Sequence, residues 1–287
     1  MLERSHLTGS LGRRMFGHYE LKEEIGKAPL GALYLARAPQ GGTVVIKTLS
    51  LATEFEPRDQ DWIRKRFFRE AEAAARLQHP GIRRVLATGE DDGVAWVAME
   101  KVDGHPLSRY ATDFERLSVP DILELVARAA DALHYAHSEN VIHRDIKPAN
   151  IIYDPVTDRL KITDFGFAHI TDSGRTRTGL VLGTPSFKSP EQLAGATVGS
   201  ASDLFSLGVT LYQLLTGKLP FRSDSMVGLM QSIIALPHTP MSEVRRDLDP
   251  VLDEVLDKAL RKRPEERFSD GAQMAAVLRS CVRNMAA

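Results

Sequence analysis

The chain has 287 residues, 43% of them hydrophobic and 26% charged, proportions of a soluble globular protein that exclude disordered and fibrous classes. Its 37 basic and 38 acidic residues leave a formal charge of -1, so no global field recruits nucleic acid or an anionic membrane, and neither is expected as a partner. The one cysteine, Cys281, excludes an internal disulfide and a cysteine-rich zinc site and suits a reducing compartment, from which a cytoplasmic location is expected.

Residues 1–18 carry Arg4, Arg13 and Arg14 but lack the continuous apolar stretch of a signal peptide, and read as a flexible lead-in. From Tyr19 to Glu100 the pattern is mostly strand-like, in the runs YELKEEIG, ALYLAR, TVVIKTL and VAWVAME, which implies an antiparallel sheet. One helix interrupts it, because Trp62, Ile63, Phe67, Ala71, Ala74 and Leu77 recur at helical spacing before the stop signal His79-Pro80-Gly81. From Ser118 the character turns helical, with predicted helices over Pro120 to Ser138, Ala201 to Thr216, Met226 to Ala235, Pro250 to Arg261 and Asp270 to Val282. No run approaches the roughly 18 apolar residues of a membrane span, so none is expected within this chain. A small β-rich part followed by a larger helical part predicts an α+β molecule over 19–284, with lobes 19–102 and 103–284 meeting near Lys101 to Gly104. A cleft at such a joint is the expected ligand site.

Three stretches carry chemistry. Gly26-Lys27-Ala28-Pro29-Leu30-Gly31-Ala32-Leu33 places glycines around a turn between strands, where backbone N–H groups could approach phosphate oxygens. On its own such a stretch is more often an ordinary hairpin turn than a nucleotide loop. Gly31 is followed neither by the Lys-Ser/Thr of a Walker loop nor by the helix of a Rossmann loop. Lys47 closes the run Val44-Val45-Ile46-Lys47, and Glu70 on the next helix offers it a counter-charge that would present a fixed positive charge to phosphates. Glu72 lies roughly 200° round the helix from Glu70, so only one of the two can face inward. The third stretch is His143-Arg144-Asp145-Ile146-Lys147-Pro148-Ala149-Asn150, followed by Thr163-Asp164-Phe165-Gly166.

This third stretch resembles the catalytic and metal-binding loops, HRDxxxxN and DFG, of the eukaryotic-type (Hanks-type) protein kinases. The resemblance extends over about Tyr19 to Val282 and implies the two-lobed kinase fold, ATP with Mg2+ (Mn2+ as a substitute) as cofactors, and a protein substrate. It assigns Asp145 as base, Lys147 to the transferred phosphate, Asn150 and Asp164 to the metal, and Lys47 with Glu70 to the phosphates. Val97 to Val102 resembles gatekeeper and hinge, so that Ile25, Gly26, Gly31, Leu33 and Met99 would surround the nucleotide while backbone groups of Glu100 and Val102 bond the adenine edge. Structural roles are implied for Arg144, for Thr184 in Gly183-Thr184-Pro185, for Glu191 paired with Arg267, and for Asp203. Ser189 stands in Ser189-Pro190-Glu191 where the family has alanine, and Ala28 where it has the second loop glycine. Lys147-Pro148 resembles the serine/threonine branch, and Arg69-Glu70-Ala71 and Leu182 to Gln192 resemble its bacterial members.

Thr176 and Thr178 resemble the autophosphorylated pair of that branch, which implies transient self-association for transfer in trans, with Arg144 as a phosphate partner. The competing reading is a pseudokinase scaffold that binds nucleotide or a partner without turnover; only Ala28 speaks for it, since every charged residue of the active set is present. His134 and His137 read as packed or surface residues, since no third ligand follows at a metal spacing. His143 reads as a packed hydrogen-bonding residue, and Ile233 to Leu236 as core.

Overall fold

The computed structural model describes residues 14–28, 30–51, 55–112, 116–165 and 185–285. Six strands, β1 (Met15–Phe16), β2 (Tyr19–Ala28), β3 (Gly31–Arg37), β4 (Thr43–Ser50), β5 (Val85–Asp91) and β6 (Val94–Glu100), form an antiparallel sheet in the order β1-β2-β3-β4-β6-β5. The β-branched run Val44-Val45-Ile46 suits a central strand covered on both faces. Val45, Leu49, Val97 and Met99 pack on one face with Ile63, Phe67 and Ala71 of helix α1 (Pro57–Ala75), while Val44, Ile46, Trp96 and Ala98 pack on the other with Phe16 and Leu21. Apolar residues four apart give α1 its buried stripe. Trp62, assigned to that stripe, lies instead at its margin with its ring under Arg66 at 4.9 Å.

The sheet begins earlier than predicted. Phe16 is 3% exposed, and β1 pairs with β2 through Phe16 opposite Tyr19, so the expected lead-in contributes its last residues to the fold. The pattern gave no warning because Met15-Phe16 is too short to show a period.

The second lobe is built on helix α2 (Val119–Ser138), capped by Ser118 accepting from the Asp121 amide. The short helix α3 (Pro190–Leu193) precedes α4 (Ser200–Thr216), followed by α5 (Met226–Ala235), α6 (Met241–Val244), α7 (Val251–Ala259) and α8 (Gly271–Met285). α4 is buried along nearly its whole length and packs against α2, as expected of a helix apolar all round. α8 packs closely against α2, with its first residue, Gly271, against Ala130 O. Ile233 of α5 is core, but Ile234 and Leu236 are exposed, so only part of that stretch packs as expected. No helix among the described residues is long and apolar enough to cross a membrane.

Residues 101–104 have no regular structure and connect β6 to a small sheet of β7 (His105–Pro106), β8 (Ile151–Asp154) and β9 (Arg159–Ile162), which the sequence reading did not resolve. A second tie runs between the lobes: Ile82 bridges Ile162 in parallel, the Arg83 amide donates to Ile162 O at 2.9 Å and the Ile162 amide donates to Gly81 O at 2.8 Å. A Cβ on Gly271 would lie 2.1 Å from Ala130 O. Gly271→Ala is therefore expected to push α8 off α2 and lower unfolding stability by about 1–3 kcal/mol, read from the urea midpoint at unchanged slope.

Candidate active site

The β8–β9 hairpin positions the two chemical loops. Ile151 lies opposite Ile162, so Asn150 leaves one strand beside Thr163, whose amide and hydroxyl both donate to Asn150 O at 2.8 and 3.2 Å. Asp164 follows immediately, in the left-handed backbone region at φ 64°. Its carboxylate faces Lys47 on β4, with Nζ to Oδ1 at 3.0 Å. Burial pushes the Asp164 carboxyl up, but the charge and hydrogen bond of Lys47, with Arg83 and His143 nearby, hold it below its ordinary value.

Asp145 is oriented by its neighbours. Lys147 Nζ donates to Asp145 Oδ2 at 2.7 Å, and Asn150 Nδ2 donates to the same oxygen at 2.9 Å and to Asp145 O at 2.8 Å. Among the described residues Oδ1 accepts no hydrogen bond. Because the amide of Asn150 donates through nitrogen, its Oδ1 remains an acceptor, and with ionised Asp164 it forms an oxygen donor pair of the kind magnesium takes alongside substrate phosphates.

The loop before Asp145 hangs on Asp203, in the first turn of α4. The amides of His143 and Arg144 donate to its two oxygens at 2.8 and 2.7 Å, and His137 Nε2 lies 2.8 Å from Oδ2. Burial raises the Asp203 carboxyl, yet the His137 hydrogen bond and the surrounding donors bring it below its ordinary value. His143 accepts the Asp145 amide at Nδ1, so the neutral ring carries its proton on Nε2 and donates to Thr163 O at 2.7 Å. It bridges the two loops as a packed residue, as expected. His134 is exposed, and among the described residues no cluster of three or more metal-type ligands occurs.

Glu191 and Arg267 meet as a buried bidentate pair at 2.8 Å for both contacts. Arg267 also donates to Ala201 O, Arg261 O and Lys262 O, so all five of its N–H groups are used. Ser189, the departure from alanine, caps α3 in a reciprocal box with Gln192, whose Nε2 donates to Arg144 O at 2.8 Å. The serine thus ties α3 to the catalytic loop.

Two expectations need correcting. Lys47 and Glu70 are not paired: Glu70 Oε1 accepts from Arg66 Nε at 3.1 Å, one turn back on α1, and Oε2 is buried with no hydrogen-bond partner among the described residues. Burial raises the Glu70 carboxyl despite Arg66. Arg66 competes from the same helix, which a scan for a partner across the sheet does not detect. Gly31 is a packing residue, since a Cβ there would lie 2.0 Å from Thr48 O on β4; Leu30 beside it is buried at φ 69°. Leu33 is half-buried opposite Lys47, and Ile25 is 46% exposed. Met99 is buried in the sheet–α1 cluster and Val102 half-buried at the link. A further residue went unnoticed in the sequence: Arg83 Nε donates to Glu100 O at 2.9 Å. Gly166, Gly183, Thr176, Thr178 and Thr184 lie outside the described residues.

A small β lobe and a helical lobe, with an oriented aspartate, an Asn/Asp oxygen pair and a strand lysine gathered on the β8–β9 end of the joint, define the protein kinase class. The chain belongs to the family described as protein kinase domain, whose model matches residues 19–280. It is 36% identical over 282 residues to serine/threonine-protein kinase pkn3 of Myxococcus xanthus, covering 94% of this chain and 51% of that one. It is 38% identical over 268 residues to serine/threonine-protein kinase PknB of Mycobacterium tuberculosis, covering 91% and 42%. The chain therefore spans about half or less of these relatives' length. The crystal structure of the Mycobacterium tuberculosis PknI kinase domain superposes with TM-score 0.74 at 33% identity, covering 93% of this chain and 98% of that one. These similarities identify a kinase of the bacterial Hanks-type serine/threonine group, a family that uses ATP and a divalent metal.

Asp164, Asp203 and Glu191 all have depressed folded-state values, so each stabilises the fold above its unfolded value and loses that contribution as pH falls through the folded one. Unfolding stability is expected to be level near neutrality and to fall below about pH 5. Asp203→Asn should start about 3–5 kcal/mol lower and fall less steeply, as measured by urea unfolding across pH.

Proposed function

We propose that this chain transfers the γ-phosphoryl group of ATP to serine or threonine hydroxyls of proteins. The observation that carries the reading is the Asp145 carboxylate, held at Oδ2 by Lys147 and Asn150 with Oδ1 left to the hydroxyl. Asp145 orients that hydroxyl and takes its proton, while Lys147, already 2.7 Å from the base, neutralises charge on the phosphoryl group in flight. Asn150 and Asp164 would hold Mg2+, or Mn2+ in its place, and such an ion supplies charge neutralisation at the phosphate oxygens. Ile25, Gly26, Leu33 and Met99 frame the base, with backbone groups of Glu100 and Val102 reading its edge; the exposed apolar surface of Ile25 supports this.

Lys47 lies on Asp164 and Glu70 on Arg66, so activation in this reading moves Glu70 from Arg66 to Lys47, which then presents its charge to the phosphates. Phosphorylation of Thr176 and Thr178 by a transiently associated second copy would drive that exchange, with Arg144 among the phosphate's partners. A cytoplasmic site of action is part of the same proposal.

Incubation of the chain with Mg-ATP and a generic protein substrate should give phosphate mass increments that Asp145→Asn reduces by about 10²–10⁴-fold. Their absence from wild type while ATP still binds would favour the scaffold reading. Arg66→Met should raise the basal rate about twofold or more by releasing Glu70, whereas a Thr176→Ala, Thr178→Ala double variant should lose activation on preincubation with ATP.

A further inference from the structure

Arg83 lies in the segment between α1 and β5, and its amide is fixed to Ile162 O at 2.9 Å, two residues before Asp164. Ile82 beside it is 1% exposed and packs into the helical lobe, so alternation turns the Arg83 side chain the other way. There Nε donates to Glu100 O at 2.9 Å. That oxygen cannot turn aside. The Glu100 amide donates to Arg84 O at 3.0 Å, and its carboxylate accepts from Lys161 Nζ at 2.6 Å and the Arg84 amide at 2.8 Å. Burial lowers the guanidinium's pKa, against which the Asp164 and Glu100 carboxylates act as counter-charges.

Resting on the reading of this cleft as an ATP site, we propose that Arg83 is a specificity-determining residue that competes with the 6-amino group of adenine for Glu100 O. A carbonyl can accept two hydrogen bonds, but the guanidinium is a planar fork whose other N–H groups extend beyond the bonded Nε. A base entering here meets donors where adenine also presents a donor. A purine with a 6-oxo acceptor meets a complementary edge, as guanine does with arginine elsewhere. The hinge of this chain therefore favours adenine less than its backbone alone would allow.

Adenosine and inosine, which lack phosphates and differ at position 6, isolate the effect from the loss of a positive charge. Equilibrium binding of each to wild type and Arg83→Val should show adenosine tightening about three- to tenfold, the equivalent of one net hydrogen bond, with inosine unchanged or weaker. Arg83→Lys, which keeps the charge and loses the planar fork, should fall between the two, and unfolding midpoints establish that both variants are folded. Equal changes for the two nucleosides, or no change in adenosine affinity, overturn the proposal while leaving the ATP site intact. Failure of wild type and both variants to bind Mg-ATP or either nucleoside overturns the nucleotide reading of the cleft, and this proposal with it.

Discussion

The catalytic apparatus depends on one carboxylate, that of Asp203, accepting the consecutive amides of His143 and Arg144 at 2.8 and 2.7 Å. Consecutive amides converge on one acceptor only when the backbone turns sharply, and Arg144 does so at φ 68°, a conformation unfavourable for a side chain with a Cβ. Two charge-assisted hydrogen bonds offset that strain, and the first turn of α4 adds its dipole. Everything downstream inherits the resulting direction of the chain: the Asp145 amide on His143, the Lys147 and Asn150 contacts to Asp145, and the hairpin that presents Asp164.

Around this centre the charged side chains of the cleft are held in contacts of their own. Lys47 is on Asp164, Glu70 on Arg66, and Arg83 on the Glu100 carbonyl. Each contact satisfies a group that the catalytic reading assigns to another partner. Glu70 has one buried oxygen without a hydrogen-bond partner among the described residues and a carboxyl pushed up by burial, whereas both oxygens of Asp203 accept hydrogen bonds and its carboxyl is held below its ordinary value.

Legibility in the sequence follows the range of the interaction involved. Helices α1 and α2 and strands β2 to β4 announce themselves through periodicity, and the loop residues Asp145, Asn150 and Asp164 through the resemblance of their motifs to the kinase loops, which the β8–β9 hairpin then brings to one end. The Arg66 contact of Glu70 is invisible to a search for a partner across the sheet because the competitor lies one turn away, where helix geometry permits a pair. Gly31 was read for its conformational freedom, whereas contact with Thr48, on a different strand, dictates it. Arg83 was passed over because nothing local marks an arginine that folds back onto a carbonyl 17 residues away.

Arg267 uses all five donors on one carboxylate and three carbonyls, and in doing so links segments 76 residues apart. The surroundings of α3 are therefore built from two distant stretches of chain, one at Glu191 and one beyond α7. Without Arg267, Glu191 in the first turn of α3 is a buried, ionised carboxylate with no cationic partner among the described residues. The catalytic lobe is in this sense a clasp, whose two halves were brought together by folding and are complete only when fastened.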